Sequence, residues 1–269
     1  MLKIITSSNK MGLKSISLLY NVPMLDEEEA VVITVEEEDW QTRYFKEKGK
    51  PTQERTVIIQ GHVINIVNYD HEFVFTGTHL KELQEFVTRA KELNPNLLRN
   101  FKKIVFGDTQ PPSRYNDEEK HPFNGTTLIS EDGVWFHKRG QRTDIRHRTG
   151  DTSNFQGTLA HEVIHLSENQ VEHRWRKDFE WHYCSEFQNE WEQTENKGIW
   201  RNKTNGRKAL EGQFTKHPER CVTDYGRMTW DDDYADSGVV AVFNPQRLQT
   251  ICPQKLEVIR QVGKEPEVA

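Results

Sequence analysis

The sequence predicts an α+β protein in which strands dominate the first part and helices the rest. Short runs of β-branched residues occur up to about residue 75, and apolar residues recur at helical spacing beyond it. The chain has 269 residues, of which 34% are hydrophobic, and this length fits one large domain or two small ones. We therefore expect a β-rich N-terminal region of unknown role at residues 1–74 and a single domain at residues 75–269.

The N-terminal strands are predicted from residue type. Residues 30–35, 56–59 and 62–67 are rich in valine and isoleucine, which favour extended structure. Gly61 stands between the second and third of these runs and indicates a turn.

The predicted elements then alternate between helix and strand. Apolar residues recur every three to four positions from Leu80 to Leu93, so we expect a helix there. A strand is expected at 103–106, and 126–129 with 134–137 are expected to form a strand pair around a short turn.

Helices are predicted for most of the C-terminal half. One spans 154–169, with Ser153 as its N-cap. A second is expected at 172–195, where an aromatic residue occurs at every fourth position and would form a packing face. Two shorter helices are expected near 230–243 and 246–262.

Composition excludes several classes of protein. The formal net charge of −6 argues against a general nucleic-acid binder, which is usually basic. No stretch approaches the roughly 18 to 20 apolar residues of a membrane-spanning helix. The N-terminal residues lack the apolar segment of a secretory signal, so we expect a cytoplasmic location, with export by another route left open. Three widely spaced cysteines form no CxxC pair and favour reduced thiols. The oligomeric state is not indicated.

One motif in the predicted helix at 154–169 carries chemistry. Residues 157–165 read GTLAHEVIH and contain HExxH. His161 and His165 are four residues apart, so both can reach one metal ion from the same helical face. Imidazole nitrogen suits Zn²⁺. Glu162 projects to the side of that face, where it can accept a proton from a water molecule beside the metal.

A catalytic zinc site needs a third protein ligand. A histidine six residues after His165 is excluded, because that residue is Val171. Glu186 and Glu190, about twenty residues further on, remain candidates. The better candidate lies in residues 223–236, which read TDYGRMTWDDDYAD.

This second segment, together with HExxH, resembles a known family. HExxH followed by a Tyr-Gly-Arg turn and an acidic helix start is similar to the protease domain of anthrax lethal factor and the related Pro-Pro endopeptidases. The resemblance covers roughly residues 75–262. It implies a zincin-like domain, with a small mixed sheet, the HExxH helix and a helical C-terminal subdomain. It also implies that Asp232 is the third zinc ligand and Asp236 a supporting carboxylate. Both positions are glutamate in that family, so the helix that carries these shorter aspartates must lie about 1 to 1.5 Å closer.

The resemblance further implies a reaction, the hydrolysis of a peptide or protein substrate with one zinc ion. Glu162 would act as general base, and Tyr225 would donate a hydrogen bond to the oxyanion. Asp236 would fix the ring orientation of a ligand histidine. Extended peptides bind proteases by strand addition, so we expect the substrate along an edge strand formed by Val134, Trp135, Phe136 and His137.

Two other functions stay open at this stage. A catalytically inactive module with a zincin-like fold could bind a partner, although an inactive protein has little physical reason to keep Glu162. A toxin or effector protease that acts inside another cell would use the same chemistry.

Overall fold

The computed structural model describes residues 3–8, 14–19, 33–36, 50–107, 125–128, 132–195, 198–210 and 212–264. These residues form a mixed α+β fold with a small mixed sheet and six α-helices, as the coarse fold class predicted. Within this part of the chain, no helix combines the length and the apolar character needed to cross a membrane.

The chain divides into two units, Met1–Lys50 with Pro111–Asn116, and Pro51–Gln110 with Asp117–Ala269. The first unit contains an antiparallel three-stranded sheet of strands in sequence order, namely β1 (Lys3–Ser8), β2 (Lys14–Leu19) and β3 (Ile33–Glu36). The predicted boundary at residue 75 therefore differs from the division after Lys50. The reason is that the next two strands pair within the sheet of the second unit.

The second unit is built on a five-stranded sheet. In chain order its strands are β4 (Gln53–Ile59), β5 (His62–Asn68), β6 (Lys103–Phe106), β7 (Gly125–Leu128) and β8 (Gly133–Phe136). Their spatial order is β4-β5-β6-β8-β7, with parallel pairing among β5, β6 and β8 and antiparallel pairing at both ends. The turn between β4 and β5 has positive φ at Gln60 and Gly61, which suits a tight hairpin.

One sequence prediction about this sheet is wrong. Val134, Trp135 and Phe136 lie in β8, which is paired on one side by β6 and on the other by β7. All three side chains are buried. A strand with two partners cannot accept a third, so the edge predicted for the substrate lies elsewhere, and His137 follows the end of β8. The edge strand on this side of the sheet is β7.

Helices cover the sheet and share one apolar core with it. Helix α1 (Gly77–Leu93) follows β5, as predicted, and Asn94 ends it. The Asn94 side chain donates hydrogen bonds to the carbonyls of Ile259 and Val262, at 3.0 and 2.9 Å, and so ties α1 to the C-terminal end of the core. Helix α2 (Asn154–His165) is buried along almost its whole length.

The predicted helix at 172–195 is only partly present. Helix α3 (Glu172–Asp178) is short, and Glu180 then has a φ of 49°, which no helix continues. Five short strands follow in two small antiparallel sheets, namely β9 (Trp181–Tyr183), β10 (Trp191–Gln193), β11 (Ile199–Asn202), β12 (Lys208–Leu210) and β13 (Gln213–Thr215). They enclose a small second core around Cys184, Trp191, Ala209 and Phe214.

The remaining helices close the domain. Helix α4 (Trp230–Phe243) has the predicted bounds and packs against α2. The C-terminal helix predicted at 246–262 is two helices, α5 (Pro245–Ile251) and α6 (Pro253–Arg260), because proline cannot continue a helix at residue 253.

Candidate metal centre

Helix α2 carries two histidines on one face. Ser153 caps the helix by accepting a hydrogen bond at Oγ from the backbone N–H of Gln156, at 3.1 Å. About two and three turns after Ser153, His161 and His165 lie with their ring planes at 85° and their centroids 4.6 Å apart. Their two Nε2 atoms are 3.1 Å apart. The two rings therefore offer their nitrogens to a common point.

The first turn of α4 brings a carboxylate to the same point. Thr229 is the N-cap, and its hydroxyl donates a hydrogen bond to Oδ2 of Asp232 at 2.8 Å. Oδ1 of Asp232 lies 3.6 Å from Nε2 of His161 and 4.0 Å from Nε2 of His165. Burial raises the pKa of Asp232, but its contacts with the two histidines and Thr229 hold the pKa below its ordinary value. Asp232 is therefore ionised.

These three ligand atoms fit a zinc ion. Zinc–ligand bonds of about 2.0 to 2.1 Å in a tetrahedral site separate neighbouring ligand atoms by about 3.3 Å. The separations here are 3.1, 3.6 and 4.0 Å. In the described part of the chain, His161, His165 and Asp232 are the only group of three such residues close enough for one ion.

The alternative third ligands lie outside this cluster. Glu186 belongs to a 3-10 turn at Cys184–Phe187, and Glu190 directly precedes β10. The sequence predicted that both residues lie on one long helix, but the observed helix ends at Asp178.

Close packing of α4 on α2 brings the shorter aspartate within reach. A Cβ atom at Gly238 would lie 2.8 Å from the side chain of Ile164, so only glycine permits this approach. Gly238 stands two residues beyond Asp236 on α4. The resemblance described above implies a closer helix, because both positions are glutamate in that family.

Each histidine is oriented by a further carboxylate. Nδ1 of His161 lies 2.9 Å from Oδ1 of Asp236, and Nδ1 of His165 lies 2.8 Å from Oε2 of Glu168. An ionised carboxylate only accepts hydrogen bonds, so each ring carries its proton on Nδ1. In the neutral ring the lone pair of Nε2 then faces the cluster, as metal binding requires.

The charges of these groups are strongly coupled. Burial raises the pKa of Asp236, but the hydrogen bond from His161 and the charge of Arg148 hold that pKa far below its usual range. Burial lowers the pKa of His165, yet the hydrogen bond to Glu168 and the charges of Glu162, Glu168 and Asp232 together raise it from 6.5 to about 9. Without a metal, the cluster therefore holds a proton at neutral pH.

Arg148 is part of this centre and was not predicted. It lies in the loop between β8 and α2, and its Nη2 is 2.9 Å from Oδ1 of Asp236. The same nitrogen lies 2.9 and 3.1 Å from the two ring nitrogens of His161. The guanidinium also lies 4.1 Å from the ring centroid of Tyr225. Arg148 thus connects α2, α4 and the turn before α4.

Glu162 lies between α2 and the edge strand β7. Its side chain is buried, and Oε2 is 2.9 Å from Oγ1 of Thr127 on β7. The same hydroxyl is 2.9 Å from the Glu162 carbonyl oxygen. A Cβ atom at Gly125 would lie 3.2 Å from Cγ of Glu162, so the absence of a side chain there lets β7 approach the helix closely.

Tyr225 lies beside His161. It begins a 3-10 turn at Tyr225–Arg227, and its ring centroid is 6.2 Å from that of His161. Burial and the negative charge of Asp232 raise the pKa of Tyr225, so its hydroxyl stays protonated and can donate a hydrogen bond.

No family model matches the chain, and neither does any curated protein or solved structure. The likeness to lethal factor and the Pro-Pro endopeptidases therefore rests on the sequence residues quoted for it alone.

The structure brings together most residues that were singled out in the sequence, namely His161, Glu162, His165, Tyr225, Asp232 and Asp236. Sequence reasoning missed Arg148, Thr127 and the role of Glu168. Glu168 had one available signal, since it follows His165 by three residues, a spacing that brings side chains together on a helix. Arg148 and Thr127 reach the centre only through the tertiary fold.

Proposed function

We propose that this chain is a zinc-dependent endopeptidase with a zincin-like fold. The observation that carries the proposal is the convergence of Nε2 of His161, Nε2 of His165 and Oδ1 of Asp232, at 3.1 to 4.0 Å from one another. Three protein ligands leave a fourth position open, which distinguishes a catalytic zinc site from a structural one.

A zinc ion held by His161, His165 and Asp232 would activate a water molecule near neutral pH and polarise the substrate carbonyl. Glu162 transfers the proton. Its carboxylate accepts a proton from the attacking water and passes it to the leaving amine. The Thr127 hydroxyl, 2.9 Å from Oε2, holds the carboxylate in place. The burial of Glu162 keeps bulk water away from the proton that it transfers.

The other residues orient the reacting groups. Tyr225 donates a hydrogen bond from its protonated hydroxyl to the oxyanion that forms on the substrate, a contact often worth about 3 kcal/mol. Asp236 and Glu168 hold the two imidazoles with Nε2 toward the cluster. Arg148 neutralises Asp236 and packs over the Tyr225 ring.

The substrate binds along the edge strand β7, not along β8 as the sequence predicted. In the described part of the chain β7 has a neighbour only on the β8 side. Its Thr127 contacts Glu162, so a peptide added to the free edge of β7 lies beside the general base. An extended peptide or protein segment meets this requirement.

The test compares zinc-loaded wild-type protein with Glu162→Gln on a library of mixed peptides. Zinc content by mass spectrometry should be the same for both, because Glu162 is not a ligand. Hydrolysis should fall by at least about 10³-fold in Glu162→Gln, since the proton acceptor is lost. Glu172→Gln, the same change at an exposed residue of α3, is the control and should cleave like wild type.

Two outcomes would contradict the proposal. Equal cleavage by wild type and Glu162→Gln would exclude Glu162 as the base. Full zinc loading without cleavage of any peptide would favour the non-catalytic binding module.

A further inference from the structure

A cavity of about 410 Å³ opens beside Tyr225, next to the cluster of His161, His165 and Asp232. Its lining includes Arg148, Thr223, Asp224, Tyr225 and Arg227. Two of these residues, Arg148 and Tyr225, contact or face His161. The volume lies within the range of about 300 to 1,000 Å³ that ligand pockets have. A substrate side chain next to the scissile bond can therefore enter this cavity.

The charges around the cavity favour an anion. Arg148 is balanced by Asp236, which is buried. Arg227 is half exposed, and its Nη1 lies 2.8 Å from Oδ1 of Asp224. Arg207 adds a third guanidinium close to Arg227. Burial lowers the pKa of Arg207, and the positive charge of Arg227 lowers that pKa further.

Arg207 forms no ion pair with a carboxylate in the part of the chain that the structure describes. Its Nη1 donates to the carbonyl of Thr215 at 2.7 Å, and its Nη2 is buried without a hydrogen-bond partner among the described residues. Glu219 acts on the charge of Arg207 but is itself paired with His217 and Arg220. Arg207 therefore adds a positive charge close to Arg227 that no ion pair among the described residues neutralises.

The ion pair between Asp224 and Arg227 shows how a carboxylate can bind this guanidinium. The Asp224 side chain is 91% exposed, and Arg227 is held in place by a second hydrogen bond, from Nε to the Pro218 carbonyl at 3.2 Å. An exposed ion pair of this kind contributes little to stability, because water screens its charges. A substrate anion can therefore displace Asp224 from Arg227 at little cost.

We infer that this cavity binds one substrate side chain and selects an anionic one, a carboxylate or a phosphoryl group, which Arg227 holds. The inference rests on the proposed endopeptidase function. It names Arg227 as the residue that determines this specificity, and Asp224 as its intramolecular competitor.

The test uses fluorescent octapeptide pools in which one position is fixed as Glu, phosphoserine, Gln or Lys and the others are mixed neutral residues. Binding is measured by anisotropy on zinc-loaded Glu162→Gln, so that it does not depend on hydrolysis. At one position the Glu or phosphoserine pool should bind at least about 10-fold more tightly than the Gln pool, and the Lys pool should bind most weakly. A preference for phosphoserine over Glu would identify the phosphoryl group as the ligand.

Two further substitutions, each added to Glu162→Gln, give opposite expected results. Arg227→Gln should reduce the preference for the anionic pools to less than about 3-fold. Asp224→Asn should raise their affinity about 3-fold, because the competing carboxylate is gone. Both residues are exposed enough for the fold to tolerate the change. Binding of the Gln pool should change less than about 2-fold in either variant.

The outcomes separate the inference from the proposed function. If wild type cleaves peptides but the Glu and Gln pools bind equally, or if Arg227→Gln keeps the preference, the inference is overturned and the endopeptidase stands. If anionic pools bind through Arg227 but wild type cleaves nothing, the anion site stands and the endopeptidase fails. If no pool binds, the inference is overturned.

Discussion

Oδ1 of Asp236 lies 2.9 Å from Nδ1 of His161, on the side of the ring away from the nitrogen that faces the ligand cluster. The contact joins α4 to α2 and fixes which ring nitrogen carries the proton. Glu168 makes the same contact with His165 at 2.8 Å. The two nitrogens that face the proposed zinc site are therefore oriented by carboxylates outside the group of three proposed ligands.

Removing either supporting carboxylate should weaken zinc binding without removing a ligand. Asp236→Asn and Glu168→Gln should each lower the zinc affinity by about 10- to 100-fold, because the imidazole loses its fixed orientation. Competition with a chromogenic chelator measures the dissociation constants. Asp178→Asn on α3 is the matched control and should bind zinc like wild type. If Asp236→Asn also keeps the wild-type affinity, the supporting role is refuted.

The zinc affinity of Asp232 variants should depend on how well the side chain at this position reaches His161 and His165. Asp232→Ala removes a ligand and should weaken zinc binding by at least about 100-fold. Asp232→Glu keeps a carboxylate, but its extra methylene does not suit the close approach of α4 to α2 at Gly238. It should therefore bind zinc more weakly than wild type and more tightly than Asp232→Ala. Unchanged zinc content in Asp232→Ala would return the third-ligand assignment to Glu186 or Glu190.

Zinc affinity should rise with pH. Burial lowers the pKa of His165, but its hydrogen bond to Glu168 and the nearby carboxylates raise the pKa to about 9, so a proton must leave before zinc binds. Between pH 6 and 8 the apparent affinity should increase by about 10-fold per pH unit for this one proton. Glu168→Gln removes the hydrogen bond and should make the dependence shallower. Titration calorimetry in buffers of different ionisation enthalpy counts the released protons, and release of none at pH 7 would contradict the coupling.

Helix α2 should tolerate no side chain at Gly157. A Cβ atom there would lie 2.2 Å from Cγ of His147 and 2.5 Å from Oγ1 of Thr152. Gly157→Ala should lower the free energy of unfolding by about 1 to 3 kcal/mol, as measured by urea denaturation of the metal-free protein. Gly77→Ala is the control, because a Cβ at the start of α1 meets no atom within 4 Å. It should be neutral or stabilise by up to about 1 kcal/mol. Equal stability of wild type and Gly157→Ala would show that the loop around His147 moves freely.

Residue periodicity predicted much of the fold but failed in one long segment. The helix at 230–243 and the strand at 103–106 have the predicted bounds. The helix begins directly after its N-cap Thr229, and the strand is one short apolar run. The predicted helix at 172–195 fails because aromatic residues four apart share a face in a strand as well as in a helix. Here Trp175 packs in the main core and Trp191 in the small second core.

The sequence likewise indicated some residues of the candidate site and missed others. His161 and His165 were indicated by the HExxH spacing on a helix. Asp232 and Asp236 were indicated by the resemblance to the lethal factor protease domain and the Pro-Pro endopeptidases. Arg148 reaches the centre from a loop whose residues show no pattern. Residues 134–137 were wrongly predicted to form an edge strand because chain order does not determine the spatial order of strands, and β8 lies between β6 and β7.

The position of zinc in crystals of the zinc-loaded protein tests the central claim most directly. Anomalous diffraction at the zinc absorption edge should give one strong peak about 2.0 to 2.2 Å from Nε2 of His161, Nε2 of His165 and Oδ1 of Asp232. A peak bound by Glu186 or Glu190, or no peak near His161 and His165 at saturating zinc, would contradict the account.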